Sequence, residues 1–182
     1  MAVMPREAKE WTVDDLDLVP DDGLQYELLD GLLLVTPAPV RDHQRAVGRL
    51  YLLLANACPR LGLEVFVAPL DWRPDERTSL QPDLLVVRDD DAEVKNIRKP
   101  LVLAVEVLSP STRRKDLVYK RSKYEECGVL SYWVVDPDEP SIVVHDLVDG
   151  RYLETGRASG PAELTVELPF PLTIKPSALV NR

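Results

Sequence analysis

Three polar side chains stand where the sequence otherwise predicts buried structure. Asp83 opens the apolar run LLVV directly after Pro82, and Glu106 lies inside the apolar run LVLAVEVL. Lys120 follows in a segment with helical spacing. Two carboxylates at the ends of neighbouring strands can bind a hard divalent cation such as Mg²⁺, which activates water and holds phosphate oxygens. A lysine beside them can stabilise charge on the phosphate, so the set is typical of a metal-dependent phosphodiesterase.

Each of these side chains also has a simpler interpretation. Asp83 could face solvent at the end of its strand. Glu106 could form a salt bridge with a nearby base, since a buried carboxylate needs a partner. Lys120 could run its alkyl stem along the surface and keep its ammonium in water.

The helical spacing after Glu106 predicts which way Lys120 points. At 100° per residue, Leu117, Tyr124 and Cys127 define an inward stripe, and Lys120 falls in its middle. From this position Lys120 can run out to solvent, deliver its ammonium to Glu106, or pair with Asp116 four residues earlier along the helix. The residues predicted to lie off the stripe are Lys115, Tyr119 and Lys123.

Two further polar residues are candidates. Glu27 lies between Tyr26 and Leu28 on a predicted strand and could occupy either face. His43 directly follows Asp42 at the start of a predicted helix, where a surface or capping role is the simpler interpretation.

The elements that must position these residues form an alternating pattern. Asp30-Gly31 between two apolar runs predicts a hairpin, and TVDDL predicts a short capped helix. We predict a mixed central β-sheet flanked by two main helices, an α/β (α+β) fold in one domain over residues 1–182. The predicted strands are 63–72, 81–87, 101–108, 131–136, 141–150, 152–156 and 163–168, the main helices are 42–61 and about 112–127, and the loops are 73–79 and 88–99.

Length and composition fit such a domain. The chain has 182 residues, of which 45% are hydrophobic and 29% charged. No apolar run approaches the ~20 residues needed to cross a bilayer, and the start of the chain lacks a signal-peptide core. Cys58 and Cys127 make neither a disulfide framework nor a zinc site. We therefore expect a cytoplasmic protein without a membrane span.

The net charge of −9 argues against a general nucleic-acid coat. The segment from Glu106 to Tyr124 nevertheless carries six bases and two acids, a net +4, which leaves −13 for the other residues. A solvated helix face is one explanation for such a basic cluster, and binding of a polyanion is the alternative.

The segments YELLDGLLLV, DHQ, QPDLLVV and LAVEVLSPSTRRKDLVYKRSKYEECGV…YWVVDP resemble the PD-(D/E)XK superfamily of restriction-endonuclease-like folds. More narrowly, they resemble a large family of short bacterial proteins described as endonucleases. The resemblance implies that Asp83 and Glu106 bind Mg²⁺ or Mn²⁺ together with the carbonyl of Val107. The motif lysine should stand at position 108, which is Leu108 here, so the resemblance implies a migrated lysine, Lys120.

The resemblance also adds Glu27 as a further acidic group of the site, with His43, Asp116 and Tyr124 in support. Hydrolysis of DNA phosphodiester bonds by a homodimer is what it implies for function. A nuclease-fold dimer that has lost catalysis and binds DNA or protein is the second hypothesis, and a purely structural Glu106–Lys120 ion pair is the third. The basic residues expected to bind phosphates are Arg113, Arg114 and Lys115.

Overall fold

The computed structural model describes residues 10–20, 22–36, 39–91, 95–109 and 115–181. The helices are α1 (Val13–Leu16), α2 (Arg41–Ala57), α3 (Arg121–Glu126) and α4 (Pro176–Val180). Within the described ranges, none of them is both long and apolar enough to cross a membrane.

A six-stranded mixed sheet forms the centre of the fold, in the order β10-β9-β8-β7-β6-β3. Its strands are β3 (Leu63–Val67), β6 (Leu84–Arg88), β7 (Leu103–Val107), β8 (Ser131–Asp136), β9 (Ser141–Val148) and β10 (Arg151–Ser159). Strand β7 pairs antiparallel with β6 and parallel with β8. Because β7 is central and all its residues are buried, its sequence is apolar on both faces apart from Glu106.

A four-stranded antiparallel sheet in the order β2-β1-β5-β4 packs beside the central one. Its strands are β1 (Gln25–Leu29), β2 (Leu32–Thr36), β4 (Trp72–Asp75) and β5 (Thr78–Leu80). The predicted hairpin is confirmed: Asp30 and Gly31 join β1 to β2 with φ angles of 51° and 83°, the positive values that this tight turn requires. A third, two-stranded sheet pairs β11 (Leu164–Val166) with β12 (Leu172–Ile174).

The alternation of side chains along the central strands divides the core into two layers. Leu103 and Val105 face helix α2, where Leu50 and Leu54 are fully buried. Ala104 faces the other way, with the residues of the four-stranded sheet and of α3. Glu106 and Leu108 share the parity of Ala104, so Glu106 points into the layer between the two sheets.

The segment predicted as a polar loop at residues 73–79 is a β-hairpin instead, formed by β4 and β5. Arg73 is buried there because Asp17 and Asp71 both pair with its guanidinium at 2.7 Å. Thr78 and Ser79 are also buried. The polar composition was misleading because Arg73, besides its two ion pairs, donates a 3.2 Å hydrogen bond to the hydroxyl of Ser79 inside the protein.

Several predicted strands also have different bounds. The strand predicted at 63–72 is two strands, β3 and β4, separated by a bend that contains the cis Ala68–Pro69 bond. The strand predicted at 101–108 is confined to Leu103–Val107. The last strands are shifted as well, since β10 extends from Arg151 to Ser159 and β11 covers only Leu164–Val166.

The predicted single helix at about 112–127 begins within residues that the structure does not describe. Over the described part, a π-helical turn (Lys115–Lys120) precedes α3. One prediction is wrong: Lys123, expected off the inward stripe, is buried. It lies three residues after Lys120 on the same helical face, and its ammonium pairs with Asp30 at the turn between β1 and β2. Tyr119 is exposed, as predicted.

Candidate active site

Asp83 directly precedes the first residue of β6 and lies next to Glu106 of β7. The antiparallel register pairs Leu84 with Val105, so the next step of the ladder sets Asp83 opposite Glu106. Oδ2 of Asp83 accepts a 2.7 Å hydrogen bond from the backbone N–H of Val107 and lies 3.2 Å from Nε2 of His43. The side chain of Asp83 remains 20% exposed. A carboxylate that is held at one oxygen and open to solvent can receive a ligand from outside.

Glu106 is almost fully buried, with 2% of its surface exposed. Its Oε1 accepts a 3.1 Å hydrogen bond from Nζ of Lys120 and a 2.7 Å hydrogen bond from the hydroxyl of Tyr124. The predicted contact between Lys120 and Glu106 is therefore present. Two donors on one oxygen supply the partners that a buried carboxylate needs.

Glu27, on strand β1 of the four-stranded sheet, is the second carboxylate partner of Lys120. Its Oε1 lies 2.8 Å from Nζ of Lys120, and it is buried, which settles the strand face that the sequence left open. The same oxygen accepts a 2.8 Å hydrogen bond from the backbone N–H of Gln81. Lys120 thus joins a carboxylate of each sheet, and both of its partners are as buried as it is.

Gln81 was not predicted as a site residue. Besides its backbone contact to Glu27, its side-chain amide donates to Asp71 at 2.8 Å, and Asp71 in turn holds Arg73. The feature of the sequence that places Gln81 near the site is its position two residues before Asp83. Because the contact to Glu27 uses the backbone, the glutamine side chain itself gave no indication of it.

A second buried lysine fixes the orientation of α3. Nζ of Lys123 contacts Asp30 at the β1–β2 turn and lies 3.2 Å from Glu126 and 3.7 Å from Asp75. Burial alone would lower the pKa of Lys123, but its hydrogen bonds to Asp30 and Glu126 outweigh that effect and raise it. Since Lys123 is three residues beyond Lys120, this ion cluster holds the helix face that carries Lys120 against the four-stranded sheet.

Tyr124 is held by aromatic packing. Its ring centroid lies 5.4 Å from that of Trp72 and 5.3 Å from that of Tyr132, and it is fully buried. Burial and then the charge of Glu106 raise the pKa of Tyr124 well above its usual value. Its hydroxyl therefore stays protonated and continues to donate to Glu106 at physiological pH.

The donor set fits a hard divalent cation. It consists of the carboxylate of Asp83, directly before β6, the carboxylate of Glu106 in β7 and the backbone carbonyl of Val107, the next residue after Glu106. All three are oxygen ligands. No group of three or more His, Cys, Asp or Glu side chains able to hold a metal occurs in the described part of the chain. Mg²⁺ suits an incomplete cage of this kind, because it keeps several waters and binds through one or two carboxylates plus substrate phosphate.

The remaining predicted residues divide into two groups. Leu108 is buried in the layer between the sheets, so the position of the superfamily lysine is occupied by core. The other predicted residues, whose side chains lie outside the described part, are Arg113, Arg114, Lys115 and Asp116.

The fold matches that of a solved structure. The crystal structure of "a putative nuclease belonging to DUF820" from Anabaena variabilis ATCC 29413 superimposes with a TM-score of 0.73 at 20% sequence identity. The match covers 93% of this chain and 97% of the other. Both chains therefore share one fold over almost their whole length, which confirms the predicted mixed α+β class.

This fold and sequence pattern define a restriction-endonuclease-like protein. The chain belongs to the Uma2 family, described as "Putative restriction endonuclease", whose model matches residues 13–178. No curated protein matches the chain. The resemblance stated from the motifs is confirmed at the level of the family.

Proposed function

We propose that the protein is a metal-dependent endonuclease that hydrolyses phosphodiester bonds of DNA. The observation that carries this proposal is the position of Lys120. Its ammonium is buried between Glu27 and Glu106, and Glu106 lies opposite Asp83 on the neighbouring strand. The family description and the nuclease title of the structural relative support the same class of activity.

Asp83, Glu106 and the carbonyl of Val107 would hold Mg²⁺ or Mn²⁺. When bound, the cation would polarise the scissile phosphate and lower the pKa of a water molecule. His43 and the N–H of Val107 both contact Oδ2 of Asp83, so they fix the direction in which this carboxylate faces. Ordered donors of this kind keep ligands in place before substrate arrives.

Lys120 has the role of orienting the attacking water and stabilising the charge that grows on the phosphate. The water oxygen forms the new bond to phosphorus while the bond to the leaving oxygen of the strand breaks. The water gives up one proton to solvent and the leaving oxygen takes up one, so the products are a phosphate monoester end and a hydroxyl end. Glu27 and Tyr124 act through their neighbours: Glu27 holds Lys120, and Tyr124 holds Glu106. They are positioning residues in this proposal.

One observation favours the alternative of a catalytically inactive nuclease-fold module. Lys120 and Tyr124 both donate to Oε1 of Glu106, so the buried carboxylate has partners without a cation. A protein that retained this ion pair only for stability would bind DNA or protein without cutting. Loss of cleavage in all metals would favour that alternative.

The experiment is a cleavage survey with supercoiled plasmid, linear duplex, single-stranded DNA and RNA, each with Mg²⁺, Mn²⁺ or EDTA. We expect cutting of DNA that requires a divalent cation and disappears in Asp83→Asn. Asp90→Asn is the matched control, because Asp90 is an exposed carboxylate just beyond the far end of β6. Cutting that survives in Asp83→Asn or in EDTA would contradict the proposal.

Two further expectations belong to the same proposal. Neutralising Arg113, Arg114 and Lys115 should flatten the salt dependence of DNA binding. A variant that contacts fewer phosphates releases fewer counterions from the DNA when it binds. The expected homodimer is checked by sedimentation of the purified protein.

A further inference from the structure

A groove runs from Asp83 along one face of helix α2. It has a volume of about 430 Å³ and is lined by Gln44, Val47, Gly48, Tyr51, Val67, Ala68 and Asp83. Gln44, Gly48 and Tyr51 are four and three residues apart, so they share one helix face. Asp83 lines the groove and also belongs to the proposed active site, which makes the two continuous.

We propose that this groove is a nucleotide subsite of the substrate strand, in which a base roughly three nucleotides from the cleaved bond stacks on Tyr51. The inference rests on the proposed function and adds to it the residues that hold the strand. Aromatic side chains that face solvent are the usual platforms for unpaired bases. Tyr51 is 36% exposed on the groove.

The dimensions of the groove fit that occupant. His43 lies in the first turn of α2 and contacts Asp83. Tyr51 lies eight residues further along the helix, which is about 12 Å by helical rise. At about 3.4 Å per stacked nucleotide, this distance corresponds to roughly three nucleotides from the scissile phosphate. Gln44 lies between the two, where its amide can bond to a base edge or to the backbone.

Gly48 keeps the groove open. A Cβ placed on Gly48 would meet no atom within 4 Å, so the space beside it is empty rather than packed. Glycine in the interior of an α-helix lowers helix stability relative to alanine. Here the glycine leaves room for a ligand at the midpoint between Gln44 and Tyr51.

Continuity with Asp83 distinguishes this groove from a larger cavity beside Leu108. That cavity has a volume of about 550 Å³, and the charged residues that line it are Asp136, Glu139, Glu154, Arg121 and Arg157. Among its described lining residues there is neither Asp83 nor a tyrosine, whereas the groove along α2 has both. A base held in the groove therefore lies beside the proposed active site and against an aromatic ring.

The test compares four variants with the wild type. Tyr51→Leu removes the aromatic face, Tyr51→Phe keeps it, and Gly48→Leu fills the groove. Leu52→Ala is the matched control, because Leu52 is exposed on the same helix and does not line the groove. Binding of a short labelled single-stranded DNA is measured by anisotropy in EDTA, and steady-state cleavage is measured with Mg²⁺.

We expect Tyr51→Leu to weaken DNA binding roughly 5- to 150-fold, the range for loss of one base stack, and to raise KM more than it lowers kcat. Tyr51→Phe should lose much less, and Gly48→Leu should bind weakly although leucine favours the helix. If the wild type cuts DNA and Tyr51→Leu has the same DNA affinity and the same KM, the inference is overturned while the proposed function stands. A wild type that neither binds nor cuts DNA would overturn both. Should Gly48→Leu misfold, the Tyr51 pair alone decides.

Discussion

Replacing Lys120 with methionine should destabilise the protein strongly, because the structure gives this lysine two buried carboxylate partners. Nζ of Lys120 lies 2.8 Å from Glu27 and 3.1 Å from Glu106, and all three side chains are at most 5% exposed. Methionine preserves the length of the stem but removes the charge. The two carboxylates then share a poorly solvated site without a cation.

Breaking a buried ion pair by removing one partner costs about 3–5 kcal/mol. That loss is a large fraction of the roughly 5–15 kcal/mol by which domains of this kind are stable. Adding Glu27→Gln to Lys120→Met removes one of the uncompensated charges and keeps an oxygen that can accept from Gln81. The double variant should therefore be more stable than Lys120→Met alone, with a coupling on the order of 1–3 kcal/mol.

Urea unfolding of the wild type, both single variants and the double variant measures this coupling. Lys175→Met is the matched control, since Lys175 pairs with Glu163 on an exposed surface and such a pair contributes about 0–1 kcal/mol. A Lys120→Met protein within about 1 kcal/mol of the wild type would refute the reasoning. So would a double variant whose loss equals the sum of the two single losses. An activity assay on Lys120 variants should accordingly be read together with their stability.

Three other results are expected. Tyr124→Phe should cost about 1.5–3 kcal/mol of unfolding free energy, because it deletes a buried hydrogen bond to the carboxylate of Glu106, and the exposed Tyr119→Phe should change little. Burial and the charge of Glu106 raise the pKa of Tyr124 in the folded state. The contribution of Tyr124 to the free energy of unfolding is therefore fully present below about pH 10 and is lost as the pH rises above it. A free energy of unfolding, measured in urea, that stays constant across this alkaline range would contradict this prediction. Burial raises the pKa of Cys58 and of Cys127 to about 11, so both thiols should react slowly with alkylating reagents at neutral pH in the folded protein and quickly in urea.

The central sheet could be predicted from the sequence because its signals are local. The buried run that contains Glu106 is too apolar to be anything but a central element, and Asp30-Gly31 allows few turns other than the one observed. The inward position of Lys120 was also accessible from helical spacing. Each of these features depends on residues close together in the chain.

The features that the sequence did not predict depend on distant partners. The polar composition of residues 73–79 predicts a loop, but Arg73 is buried by carboxylates that include Asp17, 56 positions earlier. The burial of Lys123 depends on its ion pair with Asp30, which is distant in the chain, so helical spacing alone does not predict it. Gln81 acts through its backbone N–H, which every residue except proline possesses.

The most direct test of the proposed endonuclease is the rate of DNA cleavage as a function of Mg²⁺ concentration, in the wild type and in Asp83→Asn on the same substrate. Asparagine keeps the shape of the side chain and removes the negative charge that would hold the cation. We predict a rate that saturates with Mg²⁺ in the wild type and, in the variant, falls by a factor on the order of 100 or more, the scale on which loss of an essential charge-stabilising group acts. Cleavage that is independent of Mg²⁺, or equal rates in the two proteins, would contradict the account.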